Sequence, residues 1–84
     1  MSKKTIGILG GMGPAATADL FTKIINNTEA GCDQDHLHVI IDSNTNIPDR
    51  TEALIHGGAD PTEQMTQSAR RLAEAGAELI VMPC

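Results

Sequence analysis

The chain has 84 residues, enough for one small domain, and 40% of them are hydrophobic, which is a normal share for a globular protein. The six basic residues are scattered and the net charge is -5, which argues against binding to nucleic acid or to an anionic membrane surface. No apolar run reaches the roughly 18 residues of a membrane span or has the form of a signal peptide, so we expect a cytoplasmic protein. Because disulfides are rare in the cytoplasm, we expect Cys32 and Cys84 to be free thiols.

The first predicted element is a buried strand at residues 5–9, which runs into a glycine-rich turn at residues 10–13. Pro14 suits the first position of a helix, because a backbone N–H at that position would make no hydrogen bond within the helix. Apolar side chains at helical spacing then predict a helix that packs one face on a sheet and ends between residues 26 and 31. These side chains are Leu20, Phe21, Ile24 and Ile25.

A second strand is predicted at residues 37–41, and Asp42 ends it. A polar stretch follows at residues 43–46, and then the segment 47–50, which is rich in turn-forming residues. Residues 51–56 can form a short helix that stops at two consecutive glycines.

The next helix has the clearest start signal in the chain. Asp60 is a good N-cap residue, Pro61 suits the first helical position, and Glu63 completes a motif close to a capping box. The predicted apolar stripe consists of Met65, Ala69, Leu72 and Ala73, and Gly76 ends the helix. Residues 79–81 form the third predicted strand.

Alternation of strands and helices predicts an α/β fold, a three-layer domain with a parallel sheet (β-α-β-α-β) and right-handed crossovers. Ligands of such sheets bind beyond the carboxyl ends of the strands. Residues 10–13, 42–50 and 83–84 occupy that edge and contain every unusual motif, which predicts an active site there. The third strand has no helix after it to cover it, so we expect the chain to be part of a longer polypeptide.

The glycine-rich turn allows three interpretations. Residues 11–16 match the pattern G-x-G-x-x-A, and with Asp42 they weakly resemble a dinucleotide-binding fingerprint. Pro14 removes one amide donor that a pyrophosphate would use, whereas a helix N-terminus can equally hold a small carboxylate. A tight turn without a ligand is the third interpretation, and we favour the carboxylate.

The segment after the second strand, residues 43–51, offers groups that bind carboxylates. Asn44 and Asn46 supply uncharged donors and acceptors, and Arg50 can grip a carboxylate through two parallel bonds. Alternatively, these residues only make local turns, and Arg50 pairs with Asp49 or Glu52 at the surface. Their convergence on the predicted ligand edge favours function.

The cysteines and histidines allow a thiol site and a metal site to be considered. Cys84 lies where a helix should begin, which can lower a thiol pKa, but a free cysteine is more commonly a buried structural residue. Spacing alone leaves both interpretations open. Residues 32–38 are dense in potential ligands but lack any zinc-site spacing, so we predict a solvated loop and no metal site.

Three segments carry a resemblance to a known family. Residues 7–17 resemble the opening of aspartate/glutamate racemase superfamily proteins, on the aspartate racemase branch. Ser43 and Asn44 with residues 47–51 look like the second signature of that family, and residues 82–84 look like the start of its third. The resemblance covers nearly the whole chain, in the family's order.

The resemblance implies racemisation of an amino acid without pyridoxal phosphate, metal or any other cofactor. It implies two similar α/β domains with the active site between them, residues 1–84 being the amino-terminal part of one and the second domain lying outside the chain. One cysteine comes from each domain; Cys84 matches the first, and nothing in the chain matches the second. Arg50 matches a position that contacts the acidic group of the substrate. Met12, Gly13 and Asn44 fall in segments that line the site. A homodimer is also compatible with the family.

Two alternatives stay open from the sequence. A one-cysteine decarboxylase or isomerase of the same superfamily would share these three segments but lack the second thiol. A non-catalytic half-domain that binds a nucleotide or another ligand would be indifferent to Cys84→Ser. Aspartate and glutamate are both compatible as substrates of the racemase.

Overall fold

The computed structural model describes residues 3–83, apart from the side chains of Arg50 and Ala53. Its secondary structure consists of β1 (Ile6–Gly10), α1 (Pro14–Asn26), a 3-10 turn (Asp33–Asp35), β2 (Val39–Ser43), α2 (Arg50–Ile55), α3 (Thr62–Glu74) and β3 (Leu79–Val81). This is the predicted alternation of strands and helices. No helix within residues 3–83 has the length and apolar character needed to cross a membrane.

The three strands form one parallel sheet in the order β2-β1-β3. In its register, Ile8 of β1 lies opposite Ile41 of β2 and Val81 of β3. The predicted α/β fold with a parallel sheet is therefore confirmed. Because the strands are parallel and in register, their carboxyl ends lie along one edge of the sheet.

The second strand begins and ends two residues later than the sequence predicts. Val39 is the first residue that pairs with β1, and Asp42 and Ser43 pair with Leu9 and Gly10. The polar residues stay in the strand because β1 extends to Gly10 and offers them ladder partners, which the apolar pattern of the sequence cannot show.

Helix α3 packs on one face of the sheet and buries most of the core. Leu9, Ile47 and Leu72 form its centre, surrounded by the partly buried Met12, Ile40, Met65, Ala69 and Ala77. The predicted stripe is wrong at Ala73, which is exposed, while Ser68 is fully buried. Ser68 lies three residues after Met65 and four before Leu72, so helical spacing places it on the buried face.

Helix α1 packs on the opposite face, where Ile8 is fully buried and the predicted residues Leu20, Phe21 and Ile24 are half-buried. The predicted stripe is wrong at Ile25, which is 41% exposed. This face is less completely covered than the other. Ile41 is 40% exposed and Leu79 is 50% exposed.

The starts of α2 and α3 differ by one residue from the prediction. Helix α2 begins at Arg50, with the Asp49 carboxylate accepting bonds from the N–H groups of Thr51 and Glu52. Helix α3 begins at Thr62. The Thr62 N–H donates a hydrogen bond to the Asp60 carboxylate at 2.9 Å, and Asp60 itself lies before the helix. Hydrogen bonds from the backbone N–H and the hydroxyl of Thr62 lower the pKa of Asp60.

Candidate functional site

The loops that follow β1 and β2 meet at the carboxyl edge of the sheet. The Asn44 N–H donates to the Gly10 carbonyl oxygen at 3.0 Å. Gly11 has a φ of +105°, and a Cβ atom added there would overlap backbone atoms of Asn44. Only glycine fits this position, because the two loops touch backbone to backbone.

Thr17 of α1 fixes the other side of the glycine loop. Its hydroxyl accepts a hydrogen bond from the Gly11 N–H and donates one to the Gly13 carbonyl, both at 3.0 Å. The side chain is only 2% exposed, and a Cβ atom at Gly10 would overlap it. The glycine loop is thus held between α1 on one side and the second loop on the other.

The side chain of Asn44 anchors the second loop to α3. Its Nδ2 donates to Ser68 Oγ at 2.9 Å and to Gln64 Oε1 at 3.3 Å, and its Oδ1 accepts from the Asn46 N–H at 3.0 Å. Asn44 is 7% exposed. These bonds use both amide hydrogens, so they hold the loop in place, and a contact between Asn44 and substrate stays a prediction.

A depression of about 340 Å³ lies between the two loops and is lined by Gly11, Met12, Gly13, Ile47 and Asp49. Two of these residues, Met12 and Gly13, are among the four predicted substrate-binding residues. The sequence did not single out Ile47 or Asp49 as lining residues. Ile47 is part of the buried core, and Asp49 caps α2, so both are held firmly at the rim of the depression.

The start of α1 offers N–H groups to an anion. Gly13 is the N-cap and Pro14 the first helical residue, so the N–H groups of Ala15 and Ala16 have no acceptor within the helix. The positive end of the helix dipole lies here as well. A carboxylate-sized anion is the ligand that such an end accommodates.

The carboxylate of Asp42, on which the dinucleotide interpretation depends, is paired within the fold. Its Oδ2 accepts a hydrogen bond from the Arg71 guanidinium of α3 at 2.6 Å. Asp42 thus contributes to the packing of α3 against β2. This geometry favours the carboxylate interpretation of the glycine loop over the nucleotide one.

A second depression of similar volume lies at the opposite edge of the sheet, between the carboxyl-terminal half of α1 and the start of β2. Its walls are mostly apolar, formed by Phe21, Ile24, Ile25, Leu37 and Val39, with Asp33 and His36 also lining it. It is remote from the carboxyl ends of the strands, where parallel sheets bind ligands. The depression at the glycine loop is therefore the candidate site.

The loop before β2 contains the residues that were considered as metal ligands. Within residues 3–83, no three His, Cys, Asp or Glu side chains are arranged to hold a metal ion. Cys32 is exposed, and hydrogen bonds from the Gly31 N–H and the Cys32 thiol lower the pKa of Asp35. The acidic residue thus serves to fold its own loop.

Two predicted site residues lie outside this description. Cys84 and the side chain of Arg50 are not among the described parts of the chain. The strand that leads to Cys84 is described: β3 ends at Val81, beside β1, and Met82 and Pro83 follow it.

Comparison with known proteins agrees with this architecture. The profile of the family described as Asp/Glu/Hydantoin racemase matches residues 9–84. The chain belongs to this racemase family. The match confirms the resemblance drawn from the three sequence segments, and it includes both loops of the candidate site.

A solved structure described as Picrophilus torridus aspartate racemase is similar to this family member, with a TM-score of 0.91 and 35% sequence identity. The similarity covers 98% of this chain and 36% of that chain, so the chain spans about a third of its length. The sheet and helices described above are therefore those of a racemase fold.

Proposed function

We propose that this chain is part of an amino-acid racemase of the aspartate/glutamate type that works without pyridoxal phosphate. The observation that carries the proposal is the depression at the carboxyl edge, bounded by Met12 and Gly13 at the start of α1. Its position suits the carboxylate of an amino acid, and membership of the racemase family supports the reaction.

The reaction has a specific electrostatic demand. When a thiolate takes the α-proton, the C–H bond breaks and its electron pair moves into the carboxylate, which becomes an enediolate. Without a cofactor to accept these electrons, preorganised donors must stabilise the added negative charge. The loop and helix N–H groups around Met12 and Gly13 are donors of that kind.

In this proposal, Cys84 supplies one of the two thiol groups. It is the third residue after β3, the strand that pairs with β1 and so ends near the glycine loop. As thiolate it takes the α-proton, and a second thiol, from outside this chain, donates a proton to the opposite face. Arg50, the first residue of α2, would bind the acidic group of the substrate.

The decisive test replaces Cys84 in the full-length gene product. Cys84→Ser is expected to slow solvent-deuterium exchange of the α-proton by at least about 100-fold for one or both enantiomers of aspartate or glutamate, because it removes an acid–base group. Exchange is followed by proton NMR in deuterium oxide.

Cys32→Ser is the matched control, because this cysteine is exposed in a loop away from the site. It is expected to leave both exchange rates unchanged. Unimpaired exchange from both enantiomers in Cys84→Ser would count against the proposed mechanism.

A further inference from the structure

Thr17 makes more contacts with the glycine loop than its place in a helix requires. Its backbone N–H and its hydroxyl both donate to the Gly13 carbonyl, at 3.2 and 3.0 Å, and its Oγ1 accepts from the Gly11 N–H. One side chain therefore bridges the two ends of the segment from Gly11 to Gly13. Met12, which lines the depression, lies between the two bonded residues.

The hydroxyl of Thr17 is buried and bonded to the glycine loop. Thr17 is 2% exposed, and its donor and acceptor bonds are both to the loop. A buried hydroxyl must keep its partners, because losing one leaves a desolvated polar group without compensation. The contact is therefore a fixed part of the fold and not a transient surface interaction.

Close packing on the far side of the loop limits its movement toward Asn44. Gly11 abuts the backbone of Asn44, and Asn44 is itself bonded to Ser68. Movement of Gly11 toward Asn44 is therefore blocked. Loss of the Thr17 hydroxyl leaves the Gly11 N–H without its acceptor and the Gly13 carbonyl bonded only to the Thr17 N–H, which weakens the hold on the loop even where a methyl group fills the same space.

We propose that Thr17 is a positioning residue for racemisation, which holds the backbone between Gly11 and Gly13 in the orientation that stabilises the enediolate. This inference rests on the proposed function. Thr17 touches no substrate; it acts through the loop. A displacement of about 1 Å in a group that contacts the reacting atoms can cost on the order of 100-fold in rate.

The test compares two substitutions at Thr17 in the full-length gene product. Thr17→Val keeps the shape and removes the hydroxyl, whereas Thr17→Ser keeps the hydroxyl and removes a methyl group. We expect kcat for aspartate or glutamate to fall about 10- to 100-fold in Thr17→Val, with a smaller change in KM, because the added charge of the enediolate is absent from the bound substrate and develops in the transition state. Thr17→Ser should restore kcat to within about 3-fold of the unmodified enzyme.

Thr22→Val provides the matched control. Thr22 is on the same helix, and its hydroxyl donates to the carbonyl four residues earlier, that of Ala18, at 3.1 Å, but it is exposed. This variant should keep its kcat. Melting temperatures are measured for all variants, because Thr17→Ser loses buried contacts and can also be destabilised. If Thr17 is a positioning residue, kcat depends on the presence of the hydroxyl and does not track the melting temperature.

The outcomes separate this inference from the proposed function. Racemisation by the unmodified enzyme together with an unchanged kcat in Thr17→Val would overturn the role of Thr17 alone. Absence of racemisation in the unmodified enzyme would overturn both. If Thr17→Val does not fold, Thr17→Ala takes its place. Alanine also lacks the hydroxyl and puts no methyl group where the hydroxyl was, and the same loss of kcat is expected.

Discussion

The two loops of the candidate site are held in place by different means. The glycine loop is confined by close packing on both sides, because Gly10 abuts Thr17 and Gly11 abuts the backbone of Asn44, and the Thr17 hydroxyl adds two hydrogen bonds to it. The second loop is held by side-chain hydrogen bonds, from Asn44 to α3 and from Asp49 to the start of α2. The stability of the first loop should therefore be most sensitive to added atoms, and that of the second to the removal of its own polar side chains.

The largest expected effect tests the packing of the glycine loop. Gly11→Ala combines a φ of +105° with overlap against Asn44, so we expect it to lower the free energy of unfolding by about 3–5 kcal/mol. Urea denaturation followed by circular dichroism measures this loss. If Gly11→Ala is too unstable to fold at all, that result also supports close packing at Gly11.

Gly13→Ala is the matched control within the same loop. A Cβ atom at Gly13 meets no other atom within 4 Å, and its φ of -103° suits any residue. We expect a change of less than about 1 kcal/mol. Equal losses of unfolding free energy in Gly11→Ala and Gly13→Ala would show that the loop is not confined at Gly11.

The second prediction concerns the amide that anchors the other loop. Asn44→Ala removes the bonds to Ser68, Gln64 and the Asn46 N–H, and we expect it to cost about 2–3 kcal/mol of unfolding free energy. Thr45→Ala, at the exposed neighbouring position, should stay within about 0.5 kcal/mol of the unmodified protein.

A double-mutant cycle sharpens the second prediction. If Asn44 and Ser68 depend on one another, the losses for Asn44→Ala and Ser68→Ala should not add, and a coupling of about 0.5–3 kcal/mol is expected. Additive losses would mean that the bond between them does not stabilise the loop.

The smallest expected effect tests the cap at the far end of the second loop. Asp49→Ala removes the acceptor for the Thr51 and Glu52 N–H groups and should cost about 1 kcal/mol. Asp49→Asn keeps an acceptor of equal capping quality and should lose much less. A similar loss of unfolding free energy in both variants would indicate that Asp49 stabilises the helix through its charge and not through its capping hydrogen bonds.

Much of the fold follows from signals that are local in the sequence. Pro14 marks the first residue of α1, and the apolar run at residues 79–81 coincides with β3. The parallel arrangement follows from the alternation of strands and helices. The limits of β2 could not be predicted, because Asp42 and Ser43 are polar and stay in the sheet only through pairing with β1.

The candidate site shows the same division. The family resemblance implied Met12 and Gly13 as site residues, and both line the depression. Ile47 and Asp49 were missed, although both belong to the segment 42–50 that the sequence places at that edge. Ser68 carried one usable signal, a polar residue on the apolar stripe of α3 between Met65 and Leu72.

The sequence alone determined the order of elements, the class of fold and the edge of the sheet at which the two loops meet. These depend on residue spacing and on propensities that act over a few neighbours. Only the tertiary structure decided that Asn44 bonds to Ser68, 24 residues away, and that the Thr17 hydroxyl spans the glycine loop. Such partners depend on strand register and helix placement, because a buried polar group bonds to whatever the folded chain brings within about 3 Å of it.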